Sequence, residues 1–244
     1  QISIFDDQNY AYENKTGQFG ENLDSILKYR QENLYGIVNG IDVDSFDPKT
    51  DPIIAHNYTA KAYKRAKLAN KRALQYELGL EDKPNTLLIG MVTRLTWQKG
   101  VDLVVNSLER LLQRDVQIAI LGSGESKYEY QLRSFENRYK GKVVFYCGYN
   151  EGLAHRMYAG LDMLLMPSLF EPCGISQLIA MRYGTLPLVR ETGGLKDTVL
   201  PLNEYTGEGR GFSFGPFDHY AFNHVLDYAY DQYYYHKDNW NKLK

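Results

Sequence analysis

Two groups of residues in this chain have the types and spacing to bind a phosphorylated, hydroxyl-rich ligand. The first lies in SLFEPCGIS and consists of Glu171, Cys173, Gly174, Ile175 and Ser176. The apolar run 163–166, closed by Pro167, precedes it and reads as a buried parallel strand. ISQLIAMRYG follows, with Ile175, Leu178, Ile179 and Met181 on one helical face. The first amide N–H groups of such a helix lack partners, and its dipole adds partial positive charge there. Gly174 has no side chain to block approach, so the amides of Gly174, Ile175 and Ser176 suit a phosphate. A carboxylate beside a phosphate site is better used on hydroxyls, which is the reading for Glu171. Cys173 reads either as a small packing residue or as a thiol made acidic by the helix start and nearby cations, non-catalytic but sensitive to modification.

The second group is Arg94 and Lys99, two cations five residues apart in RLTWQKG. A guanidinium fork bridging oxygens and an ammonium acting as a point charge suit a diphosphate, although a solvated turn capping the next helix explains the spacing as well. Gly122 and Gly124 end an apolar run with Gly-x-Gly, a weak phosphate signal that a tight strand-to-helix turn accounts for equally. Tyr149, just past another apolar run, offers a ring face to a base, but core packing is the default for one of 21 tyrosines. His155 is a lone histidine in LAHRMY with no neighbour at metal-ligand spacing, so it reads as a packing residue. Asn39 in an Asn-Gly turn, and Gly193 and Gly194 at a helix start, complete the candidates as secondary positions.

The elements that must hold these residues follow from periodicity. Apolar strands at 87–92, 116–121, 143–147, 163–166 and 186–189 alternate with helices near 101–113, 127–140, 152–161, 175–183 and 195–200. Residues 211–214 form a sixth strand, and a last helix begins near His219 with Phe222, Val225, Leu226 and Ala229 on one face. Before this regular part, 59–79 is a helix ended by Gly79. Residues 45–57, with Pro48 and Pro52, form an extended loop, and 35–38 a short strand. Residues 21–31 are helical with Leu23, Ile26 and Leu27 together, and 1–20 are polar and irregular. Strands and helices in alternation define an α/β fold, a doubly wound parallel sheet of Rossmann-like type, with ligands beyond the carboxyl ends of its strands.

Composition sets limits. The chain has 244 residues, 43% hydrophobic and 24% charged, with net charge −2, an ordinary globular balance without the basic field of a nucleic-acid binder. No run approaches the 18 or so apolar residues of a membrane span. Two cysteines, Cys147 and Cys173, are no disulfide scaffold, and a reducing cytoplasm is the expected location.

The stretch SLFEPCGISQLIAMRYGTLPLVRETGGLKDTV closely resembles the glycogen and starch synthases, with their E-P-C-G loop, A-M-R-Y-G helix and T-G-G-L-x-D-T-V segment. The match extends to V-N-G-I-D at 38–42, R-L-T-x-Q-K-G at 94–100 and L-A-H-R-x-Y-A-G at 153–160, covering nearly all the chain from about Leu34. The resemblance implies the carboxyl-terminal half of a two-domain GT-B glycosyltransferase. Residues 1–38 would be the tail of the first domain with its linker, and 39–244 a nucleotide-sugar domain whose last helix is cut short; the non-methionine start at Gln1 fits a truncated or processed product.

The implied reaction transfers glucose from ADP-glucose to the non-reducing end of an α-1,4-glucan with retention, using neither cofactor nor metal. Arg94 and Lys99 would hold the diphosphate, Tyr149 the nucleobase and Glu171 the glucose, with the Gly122–Gly124 loop near the nucleotide. The glucan would bind mainly through the other domain. Many related enzymes carry a second glutamate eight residues after the first; here that position is Ile179, so one carboxylate remains and a two-carboxylate mechanism is unsupported. A starch synthase, another nucleotide-sugar transferase, or a non-catalytic nucleotide-binding module are the alternatives, and the sequence does not separate ADP from UDP.

Overall fold

The computed structural model describes residues 3–5, 15–16 and 22–244. The first feature is a small parallel sheet pairing β1 (Ser3–Phe5) with β2 (Leu34–Gly36), with α1 (Asp24–Tyr29) and a 3₁₀ turn between them. A strand at residues 3–5 was not expected within the polar, irregular segment 1–20; Gly17, Gly20 and Glu21 lie outside the described residues. The expected apolar face of α1 exists, but Leu23 and Ile26 remain exposed and the helix buries nothing. Periodicity makes a helix amphipathic; a tertiary neighbour is needed to bury it.

After the loop 41–58 comes α2 (Tyr63–Leu78), sixteen residues without Gly or Pro, ended by Gly79 in the left-handed conformation at φ 69°. Then follow β3 (Leu87–Val92), α3 (Val101–Leu111), β4 (Val116–Gly122), α4 (Ser126–Arg138), β5 (Val143–Cys147), α5 (Glu151–Gly160), β6 (Met163–Met166), α6 (Ser176–Arg182), β7 (Leu186–Arg190), α7 (Gly193–Thr198), β8 (Phe212–Phe214) and α8 (His219–Tyr235). A final helix, α9 (Lys237–Lys242), escaped the sequence reading because its six residues carry too few apolar positions to show a period. The six later strands form one parallel sheet in the order β5-β4-β3-β6-β7-β8.

Alternation along the strands divides the core. Leu87, Ile89 and Met91 face a cluster with α3, α4 and α8, which includes Leu108, Leu132, Phe222 and Leu226. Leu88 faces the opposite cluster, with Leu74 of α2, Met157 of α5 and Ile179 of α6. Both faces are covered, so the strands read as continuous apolar runs. The expected face of α6 is partly corrected: Gln177, Ile179 and Ala180 are buried, whereas Ile175 is exposed and Leu178 half-buried.

At the amino ends of the strands sits a buried polar cluster. Lys71 on α2 donates to Asp162 Oδ2 at 2.6 Å and to the carbonyl of Thr86, and Asp162 also accepts the Leu88 N–H at 3.0 Å. Lys67, one turn earlier, donates to Tyr158 O, Leu161 O and Thr185 Oγ1, capping the end of α5. Burial alone would raise the Asp162 carboxyl, but the Lys71 and Lys244 ammoniums and the Leu88 amide outweigh it and hold it below the usual carboxylate range. Its contribution is therefore present above the unfolded carboxylate pKa of about 4 and is lost as pH falls through the folded value. Lys71→Met should cost about 3 kcal/mol at neutral pH, because it leaves a buried carboxylate short of its main partner. Urea titrations across pH should show that deficit shrinking in acid, where Asp162 of the variant takes up a proton; a deficit independent of pH would assign the loss to packing instead.

Candidate active site

The strand order turns back between β3 and β6. Successive strands run outward from β3 to β4 and β5, and from β6 to β7 and β8 in the other direction. The loops leaving β3 and β6 consequently diverge, opening a crevice beyond their carboxyl ends. The β3 loop carries Arg94 and Lys99, and the β6 loop carries Glu171. Residues 72 positions apart thus meet: Lys99 Nζ lies 2.5 Å from Glu171 Oε2. Ser168 Oγ approaches the same oxygen at 3.4 Å. Among the described residues Glu171 Oε1 accepts no hydrogen bond, so this 8%-exposed carboxylate keeps one oxygen for a ligand hydroxyl.

Two adjoining cavities occupy the crevice. The narrow one, about 80 Å³, is lined by Lys99, Ser168, Glu171, Gly174, Ile175 and Ser176. The wider one, about 350 Å³, is lined by Arg94, Gly122, Tyr149, His155, Tyr158 and Ser176, among others. Val92, Thr93 and Ser176 border both, so a single elongated ligand can span them. The Arg94 side chain is exposed, has no partner among the described residues and lines the wider cavity next to Thr93.

Loop positions are set by close backbone contacts. Gln98 O accepts the Leu169 N–H at 2.8 Å, and its side-chain amide reaches Phe170 O at 3.4 Å. The loop of Glu171 is held from the other side by the start of α7. Gly194 N–H donates to Glu171 O and Pro172 O, and a Cβ on Gly193 would stand 2.0 Å from Glu171 O. Gly193 and Gly194 therefore line neither cavity and act by allowing this approach. Gly122 does line the wider cavity, while Gly124 packs against the Leu95 backbone, where a Cβ would meet Leu95 O at 2.3 Å. A Cβ on Gly122 would stand 1.9 Å from Thr93 O, so close backbone approach requires both glycines of the Gly-x-Gly pattern.

In the wider cavity Tyr149 is 86% exposed, a ring face open to solvent at the end of the β5 loop. Its neighbour Asn150 caps α5, accepting the Leu153 N–H at 2.9 Å, so the loop is tied to a helix start. His155 is buried. Nδ1 lies 2.8 Å from Asp51 Oδ2, the ring stacks on Phe46 at 4.6 Å, and both Phe46 and His155 form cavity wall. Asp51 also accepts from Tyr183 Oη at 2.5 Å. Phe46 and Asp51 were missed because they lie in the irregular loop 45–57, which carries no period or motif. Thr93 and Ser168 were missed for a similar reason: a lone hydroxyl beside a strand end is too common to single out.

Cys173 requires a correction. It is 3% exposed, lines neither cavity, and its Sγ accepts the Asn39 N–H at 3.2 Å. The thiol is buried structure between the β2–α2 linker and the loop of Glu171, not a group open to modification. Asn39 likewise lies away from the crevice and serves through this contact.

No group of three His, Cys, Asp or Glu among the described residues is placed to hold a metal, and no helix among them is long and apolar enough to cross a membrane. The family model described as glycosyl transferases group 1 matches residues 72–242. Glycogen synthase of Lachnospira eligens is 49% identical over 97% of this chain, and glycogen synthase of Clostridium perfringens is 52% identical over 93%. The alignments cover 49% and 47% of those proteins, so the chain spans about half the length of these relatives. The solved catalytic domain of starch synthase IV from Arabidopsis thaliana, bound to ADP and acarbose, superposes with a TM-score of 0.90 at 36% identity, over 99% of this chain and 50% of that one. With most of its length matched by that family model, on a doubly wound sheet with its crevice at the switch point, the chain belongs to the group 1 glycosyl transferases.

Proposed function

We propose that this chain is the donor-binding half of a glycogen synthase, which moves glucose from ADP-glucose to the non-reducing end of an α-1,4-glucan with retention. The observation that carries this reading is the pair of joined cavities, with an open aromatic face at one end and a lysine-bound carboxylate at the other. The nucleobase lies against Tyr149 and the diphosphate at the junction, near Arg94, Lys99 and the amides of Gly174 to Ser176. Glucose sits in the narrow cavity with a hydroxyl on Glu171 Oε1. The ADP of the Arabidopsis starch synthase structure and the names of the bacterial relatives support this choice of donor. Residues 1–38 belong, on the same reading, to the preceding domain and linker, and the glucan contacts that domain as well. The setting is the cytoplasm.

The chemistry asks these residues to handle charge. As the glycosidic bond to the diphosphate breaks, negative charge collects on the departing ADP. Lys99 and Arg94 are fixed cations at that position and favour the transition state over the ground state. Glu171, held by Lys99, orients the sugar by accepting hydroxyl hydrogen bonds. With Ile179 eight residues on, no second carboxylate completes a glycosidase-type pair from this half.

Calorimetric titration of this chain should show ADP binding more tightly than UDP, with Tyr149→Ala weakening ADP by about tenfold, the value of one aromatic stacking contact. Equal affinity for the two nucleotides, unchanged by the substitution, would remove the base from Tyr149. The isolated chain should bind ADP yet incorporate no glucose into glycogen, since closure of two domains excludes water and completes such sites. Radiolabel transfer by this chain alone would contradict that. In the full-length enzyme Lys99→Ala should lower kcat by about a hundredfold, on the order of 3 kcal/mol, with a smaller effect on donor binding. A kcat within about threefold of wild type would show that Lys99 does not carry the leaving-group charge.

A further inference from the structure

On the loop that carries Lys99 stands Trp97, which pairs with Phe217 and lines neither cavity of the crevice. Trp97 is 51% exposed although its backbone is firmly held. Its N–H donates to Glu125 Oε1 at 3.1 Å, and it opens the 3₁₀ turn Trp97–Lys99, closed by Gly100 N–H on Trp97 O at 2.9 Å. That same turn ends in the lysine that grips Glu171, so the indole is tied to the catalytic edge by two residues of rigid backbone. Phe217 meets Trp97 at 5.7 Å between centroids and 83° between planes. In a perpendicular contact at least one face of each ring remains uncovered by the other. Arg190 fixes the second ring: its guanidinium lies 5.8 Å over Phe217, donates from Nε to Gly215 O at 3.0 Å, and donates from Nη1 to Leu169 O. The loops after β3, β6, β7 and β8 are thus clamped together under an open aromatic surface.

We propose that Trp97, backed by Phe217, is a stacking platform for the α-glucan chain where it approaches the glucose held at Glu171. This inference rests on the donor reading above, which places glucose at that end. A nucleobase is a poor candidate for the platform, because the wider cavity and Tyr149 already lie at the other end of the crevice. A pyranose chain suits the position: its C–H faces take an apolar ring, while its edge hydroxyls need polar partners, of which Glu125 stands against Trp97, accepting its backbone N–H. Singly exposed aromatics are common; what distinguishes Trp97 is that its rigid turn also fixes Lys99 on Glu171.

The test uses maltoheptaose and needs no catalysis. The chain has two tryptophans, and Trp240 is 1% exposed, packed against Phe212 and Tyr233. Solvent-sensitive fluorescence therefore reports mainly on Trp97. Maltoheptaose should shift that emission and protect it from acrylamide quenching. By calorimetry, Trp97→Ala should weaken maltoheptaose by about tenfold, the scale of one stacked ring, while Trp97→Tyr stays within about threefold. Trp97→Leu, which keeps apolar bulk without a ring, should lose binding as Trp97→Ala does, and it covers the case in which the alanine variant folds poorly. ADP affinity should stay within about twofold in all variants. Maltoheptaose that leaves the fluorescence unchanged, or that binds the leucine variant as well as the parent, overturns the platform; so does weakened ADP binding alongside, which would make Trp97 part of the donor site or of the packing beneath it. ADP binding without maltoheptaose binding defeats this inference alone, whereas maltoheptaose binding without ADP binding defeats the donor reading.

Discussion

Everything functional in this domain depends on the reversal of strand order between β3 and β6. In a parallel sheet each strand's carboxyl end delivers its loop to the same edge, and successive loops normally cover one another. Where the winding direction changes, two neighbouring loops turn away from each other and leave a crevice that needs no special residues to stay open. Lys99 and Glu171 occupy the facing walls of this crevice, and their 2.5 Å contact joins the two halves of the sheet across it. The pairing also limits the chemistry. A carboxylate engaged by an ammonium is a fixed acceptor for hydroxyls, and the ammonium beside it is a fixed source of positive charge. On the proposed reading, both would face a sugar leaving a diphosphate.

The opposite edge of the sheet has the contrary character. There Lys67, Lys71 and Asp162 are buried among backbone carbonyls at the starts of β3 and β6, with every ammonium hydrogen bond directed inward. Burial pushes the Lys67 ammonium well below its ordinary value, with Lys244 and Lys71 adding to the effect and Asp162 opposing it. Such a cluster is costly to assemble and severe to break, so it locks α2 against the two central strands in one arrangement. The same two strands are thus held at their amino ends by buried charge and open the crevice at their carboxyl ends. Rigid support at one end lets the loops at the other be positioned by a few backbone contacts, chiefly Gln98 on Leu169 and Gly194 on Glu171.

Much of this was legible in the amino-acid order. Most strands of the six-stranded sheet carry near-continuous apolar runs, because both faces of the sheet are covered, and runs such as Leu87–Val92 and Val143–Cys147 fall where the strands lie. Arg94, Lys99, Tyr149 and Glu171 stood at strand ends, and a doubly wound sheet delivers strand ends to one edge. What the order did not contain was contact. Burial of Cys173 depends on Asn39, 134 residues away, and the open ring of Trp97 on a perpendicular Phe217 brought in from the β8 loop. Periodicity is a property of neighbours along the chain, so it identifies elements and their faces. Whether a thiol is covered, an indole left bare or a helix such as α1 left without a partner is set by elements far apart in sequence, and only their packing decided it.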